Sequence, residues 1–168
     1  MTRYLLDTNI ISNITKPDPS ESLLEWMGVQ YDGDLFISCL TIAEIRRGIL
    51  DKPKGKKRQR LDAWFAGPEG PQSLFKGRIL PFDEKAALVW ARLMSEGRAA
   101  GKPRSDLDMI VAAVAETNEY MIVTDNEKHF SGLEVLNPLQ TPRRIRKSIE
   151  ATYLGVSHEF RPGVADGE

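Results

Sequence analysis

Short apolar runs that stop abruptly at polar residues constrain the fold of this chain more than any other feature. The first run, at residues 3–6, ends at Asp7, and a later run at residues 121–124 ends at Asp125. Further short runs lie at residues 35–37, 79–80 and 134–136. None of the runs alternates apolar with polar residues, and helix-like segments separate them. This pattern predicts an α/β fold with a short, mainly parallel central sheet between two layers of helices.

The segments between the runs carry apolar residues at helical spacing. Helices are predicted at residues 20–30, 41–50, 83–98 and 106–117, with a further helical stretch around residues 61–65. In the helix at 106–117, Leu107 is expected to face the core together with Ile110, Val111 and Val114. A polar turn is predicted directly after the first strand, at residues 7–9. The 168-residue length allows one domain, expected over residues 1–140, followed by a basic and then flexible tail at 141–168.

Composition limits the chemistry available to the chain. The 23 Lys and Arg residues nearly balance the 24 Asp and Glu residues, so any contact with nucleic acid needs a local basic patch. One cysteine excludes an intrachain disulfide framework, and with two histidines it argues against a Cys/His zinc site. No signal peptide or membrane span is evident, which predicts a cytoplasmic protein. Chemistry is therefore expected to rely on carboxylates and other oxygen ligands.

Four acidic residues stand where a predicted strand ends or a predicted helix begins: Asp7, Glu44, Asp108 and Asp125. In an open α/β sheet these positions converge at the carboxyl edge of the strands. Carboxylates crowded together repel one another unless a cation lies between them. Hard oxygen ligands suit Mg²⁺, for which Mn²⁺ can substitute.

Each acid also has a purely structural interpretation, which the residues alone leave open. The spacing of Thr41 and Glu44 fits a capping box, and the segment before Asp108 has the same form. Asp7 and Asp125 would serve equally as turn or cap residues. Asp106 and Asp108 point about 200° apart on a helix, so only one can face a site. We expect Asp108 to do so, with Asp106 as a cap or a supporting residue.

The segments around these acids resemble the PIN-domain ribonucleases, and more narrowly the VapC and FitB toxins of bacterial toxin–antitoxin pairs. The similar stretches are YLLDTNII at residues 4–11, TIAEIRRG at 41–48, DMIVAA at 108–113 and IVTDN at 122–126, followed by Phe130, Gly132, Asn137 and Pro138. The resemblance implies a PIN-like three-layer fold and a metal-dependent ribonuclease that acts on tRNA or another structured RNA. It also implies a homodimer that is inhibited by a cognate VapB-like antitoxin.

By this resemblance Asp7, Glu44 and Asp108 hold Mg²⁺, which activates a water and polarises a phosphoryl oxygen of the RNA. The expected products carry a 5′-phosphate and a 3′-hydroxyl. The fourth catalytic residue is left open between Asp125 and Asn126, because the family usually has its acid or asparagine where Asn126 stands. Supporting roles are implied for Asn9, Thr124, Asn126 and Asp106. No role is assigned to His129.

Affinity for RNA would have to come from basic residues near Glu44, because the chain has no overall positive charge. The candidates are Arg46, Arg47, Lys54, Lys56, Lys57 and Arg58. The run at residues 52–60 that contains most of them would equally fit a solvated flexible loop.

Two other enzyme or signalling classes fit these residues less well. A haloacid-dehalogenase-like phosphatase needs a second acid two positions after the first, where this chain has Asn9. A receiver domain needs adjacent acids near the N-terminus, which are not evident. A non-catalytic PIN-like module that binds RNA or a protein remains the alternative.

Overall fold

A five-stranded parallel sheet lies at the centre of the computed structural model, which describes residues 1–140. The predicted tail at 141–168 lies outside the described residues. The strands are β1 (Tyr4–Leu6), β2 (Leu35–Ser38), β3 (Ile79–Leu80), β4 (Met121–Val123) and β5 (Val135–Leu136), in the order β3-β2-β1-β4-β5. All neighbouring pairs are parallel. The parallel sheet predicted from the apolar runs is therefore confirmed.

The order of the strands reverses at β1. From β1 the chain adds β2 and β3 on one side, and it later adds β4 and β5 on the other side. In open α/β sheets this switch point is where crevices form beyond the carboxyl ends of the strands. Asp7 follows β1 directly, and its backbone N–H donates to the carbonyl of Val123 at the end of β4 (2.9 Å). The first predicted acid therefore lies at the switch point.

Seven α-helices connect and cover the strands within the described residues. They are α1 (Thr8–Ile14), α2 (Glu21–Gly28), α3 (Cys39–Leu50), α4 (Lys56–Ala66), α5 (Pro71–Leu74), α6 (Glu84–Ala99) and α7 (Asp106–Asn118), with short 3-10 helices at Asp32–Asp34, Glu127–Phe130 and Pro138–Gln140. The main predicted helices are confirmed. The polar turn predicted at residues 7–9 is wrong, because Asp7 caps a helix that begins at Thr8.

The two faces of the sheet support two separate hydrophobic cores. Leu5 belongs to the core beneath α6 and α7, which includes Met109 and Phe130. Leu6 belongs to the opposite core, with Leu23 among its members. Successive strand residues point to opposite faces. Since both faces are buried, the strands show no alternation of apolar and polar residues.

Helix α7 lies deep in the first core, and its buried face differs from the predicted one. Met109 is fully buried, as are the residues from Val111 to Ala115. The prediction that Leu107 faces the core is wrong, since 37% of this residue is exposed. Leu107 is the second residue of α7, close to the end of the helix that meets solvent. None of the helices within residues 1–140 is long and apolar enough to cross a lipid bilayer.

Candidate active site

Asp7 is the buried centre of the candidate site. Only 8% of the residue is exposed. One carboxylate oxygen, Oδ1, accepts the backbone N–H of Thr8 (2.8 Å) and so caps α1. The other oxygen, Oδ2, accepts the hydroxyl of Thr124 (2.9 Å). Both oxygens are therefore held in place, and each keeps a further lone pair for a ligand.

The hydroxyl of Thr124 links the ends of β1 and β4. Thr124 is fully buried, and its Oγ1 accepts the side-chain amide of Asn9 (3.0 Å) and the backbone N–H of Asn126 (3.1 Å). A hydroxyl can donate one hydrogen bond and accept two. Its single proton is therefore directed at Asp7. Asn9 and Thr124, which were predicted to support the acids, lie in a position to orient Asp7, and Asn126 contributes its backbone.

Glu44 approaches the site from α3. The capping-box interpretation of Thr41 and Glu44 is wrong, because Ser38 caps the helix and its hydroxyl accepts the backbone N–H of Thr41 (3.1 Å). The helix starts at Cys39, so Glu44 lies in its second turn, beyond the residues that need capping. Its carboxylate accepts a hydrogen bond from the hydroxyl of Thr8. Sequence reasoning missed Thr8, which stands between the carboxylates of Asp7 and Glu44.

Asp108 lies in the first turn of α7. Ser105 caps this helix by accepting the backbone N–H of Asp108 (3.4 Å). The role of a cap considered for Asp106 is therefore wrong. Asp106 is exposed, and its backbone carbonyl accepts the indole N–H of Trp90 (3.2 Å).

The carboxylate of Asp108 contacts an imidazole. Nδ1 of His129 lies 3.0 Å from Oδ2 of Asp108. Sequence reasoning gave His129 no role. The contact depends on a turn and a helix that are remote in the sequence.

The electrostatics show that the three carboxylates are neighbours. Burial raises the pKa of Asp7 from 3.8 to about 6. The hydrogen bonds from Thr124 and from the Thr8 backbone oppose this rise, whereas the negative charges of Glu44 and Asp108 add to it. A nearby like charge disfavours the ionised form. The structure therefore brings Asp7, Glu44 and Asp108 to one edge of the sheet.

The donor chemistry of this group suits a hard divalent cation. Three carboxylates, one of them buried, present oxygen ligands and negative charge that a cation would offset. Within residues 1–140, no three Asp, Glu, His or Cys side chains already enclose a single point as a preformed metal cage would. Hydroxyls or an imidazole hold one oxygen of each acid. Binding of one cation by all three acids would therefore need their side chains to move.

Asp125 lies at the rim of this group. Its side chain is exposed, and its backbone N–H, rather than its carboxylate, reaches the side-chain oxygen of Asn9 (3.5 Å). The neighbouring Asn126 is partly buried and donates its N–H to Thr124. The identity of the fourth site residue therefore stays a prediction, open between these two positions.

The basic residues near Glu44 differ in how far they are already engaged. Arg46 forms an ion pair with Asp62 of α4 and stacks over the ring of Phe65 (5.5 Å from guanidinium carbon to ring centre). Arg58 donates to the carbonyls of Leu50 and Lys52. The other four candidates are exposed: Arg47, Lys54, Lys56 and Lys57.

The flexible-loop interpretation of residues 52–60 is wrong for the second half of that run. Helix α4 begins at Lys56, so Lys56 and Lys57 project from a helix and not from a loop. The ion pair between Arg46 and Asp62 ties this helix to α3.

Comparison with known proteins places this arrangement in context. The family described as PIN domain matches residues 4–135. The chain is 35% identical to the VapC ribonuclease Y4jK of Sinorhizobium fredii and 35% identical to the toxin FitB of Neisseria gonorrhoeae. Each of these two matches covers 80% of this chain and 96% of the relative. The tRNA(fMet)-specific endonuclease VapC of Shigella flexneri is 30% identical over 77% of this chain and 91% of its own length.

The fold is similar to a solved structure of the same group. A chain in the crystal structure of FitAcB from Neisseria gonorrhoeae superimposes with a TM-score of 0.74 at 34% identity. The match covers 82% of this chain and 99% of that chain.

Proposed function

Since this chain belongs to the PIN domain family, among relatives of the VapC and FitB type, we propose that it is a divalent-cation-dependent endoribonuclease toxin. The observation that carries this proposal is the buried carboxylate of Asp7, which Thr124 and the Thr8 backbone hold in place. The Thr8 hydroxyl binds Glu44 beside it, and the charges of Glu44 and Asp108 both act on Asp7. The capping of α1 accounts for one oxygen of Asp7, but it does not account for two further acids beside it. A site that binds a cation and a phosphodiester accounts for them.

The three acids would hold Mg²⁺ or Mn²⁺, which when bound supplies Lewis acidity toward a water and a phosphoryl oxygen. Asp7 is the fixed ligand, because Thr124 and the Thr8 backbone hold both of its oxygens. Glu44 is held through one carboxylate oxygen by Thr8, so its other oxygen is available for a ligand. Hydrolysis by this route leaves a 5′-phosphate and a 3′-hydroxyl.

The exposed basic residues beside α3 are proposed to contact RNA phosphates. Arg47, Lys54, Lys56 and Lys57 are exposed on α3, on the loop and at the start of α4. Phosphate contacts supply affinity but little sequence specificity. We propose a structured RNA as the substrate, with tRNA first, because one relative is named as a tRNA(fMet)-specific endonuclease.

A cognate VapB-like antitoxin is the proposed protein partner. The solved structures of FitAB bound to a DNA fragment, at 33% identity, and of FitAcB, at 34% identity, support this partner. We also propose a homodimer, and the cytoplasm as the compartment where the RNA substrate is found.

The test compares purified wild type with Asp7→Asn on total bacterial RNA, with Mg²⁺ and with EDTA. Asp18→Asn, which alters an exposed acid between α1 and α2, is the matched control. We expect wild type and Asp18→Asn to generate the same new 5′-phosphate ends in Mg²⁺ and none in EDTA. Asp7→Asn should generate none in either condition while remaining folded by circular dichroism. Cleavage that persists in EDTA, or products that end in 2′,3′-cyclic phosphate, would refute the proposal. If wild type and Asp7→Asn both bind RNA and neither cleaves it, the result would favour a non-catalytic module.

A further inference from the structure

The contact between His129 and Asp108 connects two parts of the site. His129 comes from the 3-10 helix at Glu127–Phe130, and Asp108 comes from the first turn of α7. Nδ1 of the imidazole lies 3.0 Å from Oδ2 of the carboxylate. Only 21% of the Asp108 side chain is exposed, whereas 52% of the His129 side chain is exposed. The imidazole therefore covers one side of the carboxylate and leaves its own far side open.

The chemistry of the two groups fixes the direction of any hydrogen bond between them. An ionised carboxylate only accepts hydrogen bonds, so Nδ1 can bind Oδ2 only when Nδ1 carries the proton and donates it. Oδ2 of Asp108 is then engaged, and Oδ1 remains available to a ligand. The carboxylate is held at one end by its helix and at the other by the imidazole. A donor in this position would restrict the rotation of the carboxylate about χ2.

The turn that carries His129 is itself fixed against α7. Phe130 is 1% exposed and packs in the same core as Met109 of α7. The backbone N–H of His129 donates to the carbonyl of Asn126 (3.1 Å). Gly132 closes the turn at a φ of +85°, a conformation that favours glycine. The buried side chain of Phe130 therefore fixes the turn from which His129 projects. Replacement of His129 should leave the turn intact.

We propose that His129 is a positioning residue that holds Asp108 in the orientation needed to bind the divalent cation. This inference rests on the proposed metal site, and it concerns the orientation of one ligand. Hydrogen-bond partners of metal ligands typically change metal affinity by about 10–100-fold when they are removed. The group that orients the carboxylate of Asp108 is the N–H at Nδ1, and not the bulk of the ring.

The test measures Mn²⁺ binding to the full chain, stripped of metal, by titration calorimetry and by electron paramagnetic resonance of the free ion. His129→Ala is expected to bind Mn²⁺ about 10–100-fold more weakly than wild type. His129→Asn places an amide N–H close to the position of Nδ1, and it should retain affinity within about threefold. His129→Gln carries its amide one carbon further from the backbone, and it should resemble His129→Ala.

Controls separate this role from a structural one. Lys128→Ala, at the exposed neighbour of His129, should bind Mn²⁺ as wild type does. In an Asp108→Asn background, His129→Ala should cause no further loss, because the residue that it positions no longer binds as a carboxylate. Thermal unfolding in EDTA should be similar for His129→Ala, His129→Asn and His129→Gln.

Two results would overturn the inference while leaving the metal site in place. Wild-type affinity in His129→Ala would show that the imidazole does not matter, and equal losses in His129→Asn and His129→Ala would show that the Nδ1 donor does not. A wild-type protein that binds no Mn²⁺ would instead refute the proposed metal site, and the inference would fall with it.

Discussion

Replacement of Asp7 by asparagine is expected to stabilise the metal-free protein at neutral pH. Asp7 is buried, and its burial together with the charges of Glu44 and Asp108 raises its pKa to about 6. At pH 7.5 the folded protein must therefore keep this group ionised in an unfavourable environment. Asparagine occupies nearly the same volume without the charge. A residue that favours the proposed activity is thus one that weakens the fold.

The size of the effect follows from linkage. One pH unit corresponds to about 1.4 kcal/mol, so a rise of the Asp7 pKa from 3.8 to about 6 lowers the free energy of unfolding by roughly 3 kcal/mol at pH 7.5. Asparagine can accept the Thr8 N–H, but its NH₂ group would face the Thr124 hydroxyl that now donates to Asp7. Loss of that hydrogen bond costs about 1 kcal/mol. The net gain is about 2 kcal/mol, or about 4–8 °C in Tm.

The pH dependence has a definite sign. Between about pH 4 and pH 6 the folded wild type binds more protons at Asp7 than the unfolded chain does, because the folded pKa is the higher one. The stability of wild type therefore rises as the pH falls through this window. Asp7→Asn lacks this rise. The advantage of the variant should shrink as the pH falls and disappear near pH 4.

Urea denaturation in EDTA, followed by circular dichroism, measures the difference in free energy of unfolding between Asp7→Asn and wild type. The measurement is made at pH 7.5 and at pH 4.0. Asp18→Asn, at an exposed acid, should match wild type at both pH values. Addition of Mn²⁺ at pH 7.5 should reverse the order, since a ligand at about 100 times its Kd stabilises wild type by about 2.7 kcal/mol. The reasoning is refuted if Asp7→Asn is less stable than wild type in EDTA at pH 7.5, or if its advantage is unchanged at pH 4.0.

Other changes test the remaining parts of the site. Thr124→Val removes the hydroxyl that Asp7, Asn9 and the Asn126 N–H bind. Urea denaturation should show that the free energy of unfolding falls by about 2–3 kcal/mol, and a fall below about 0.5 kcal/mol would contradict the network. Glu44→Gln should weaken Mn²⁺ binding in calorimetry by at least tenfold without unfolding the protein, and an unchanged affinity would remove Glu44 from the proposed ligands. Lys56→Ala should lower RNA affinity for all sequences alike and reduce the salt dependence of binding by about one counterion, and an unchanged slope would place this residue away from the phosphates.

The sheet was predictable because its strands are short, apolar and buried on both faces. The starts of two helices depended on tertiary geometry, which the pattern of apolar residues does not show. Helix α1 has only seven residues, too few to show periodicity, so its first turn resembles a polar loop. The start of α3 was misplaced because Ser38 and Thr41 both have the chemistry of a cap, and only the end of β2 selects Ser38.

The candidate site was predictable to the extent that strand ends and helix starts meet at one edge. Asp7 and Thr124 illustrate this, since each follows a neighbouring strand directly. His129 shows the limit. Its contact with Asp108 depends on the path of a turn around α7, which no local pattern in either segment encodes.

The position of β1 has a consequence for how the molecule is made. This strand precedes the other four strands of the sheet in the chain but lies in the middle of the sheet, and one of its edges pairs with residues 121–123. Until the ribosome has released that segment, β1 keeps an open edge and Asp7 lacks both Val123 and Thr124. The acid site therefore cannot form on a nascent chain that ends before β4.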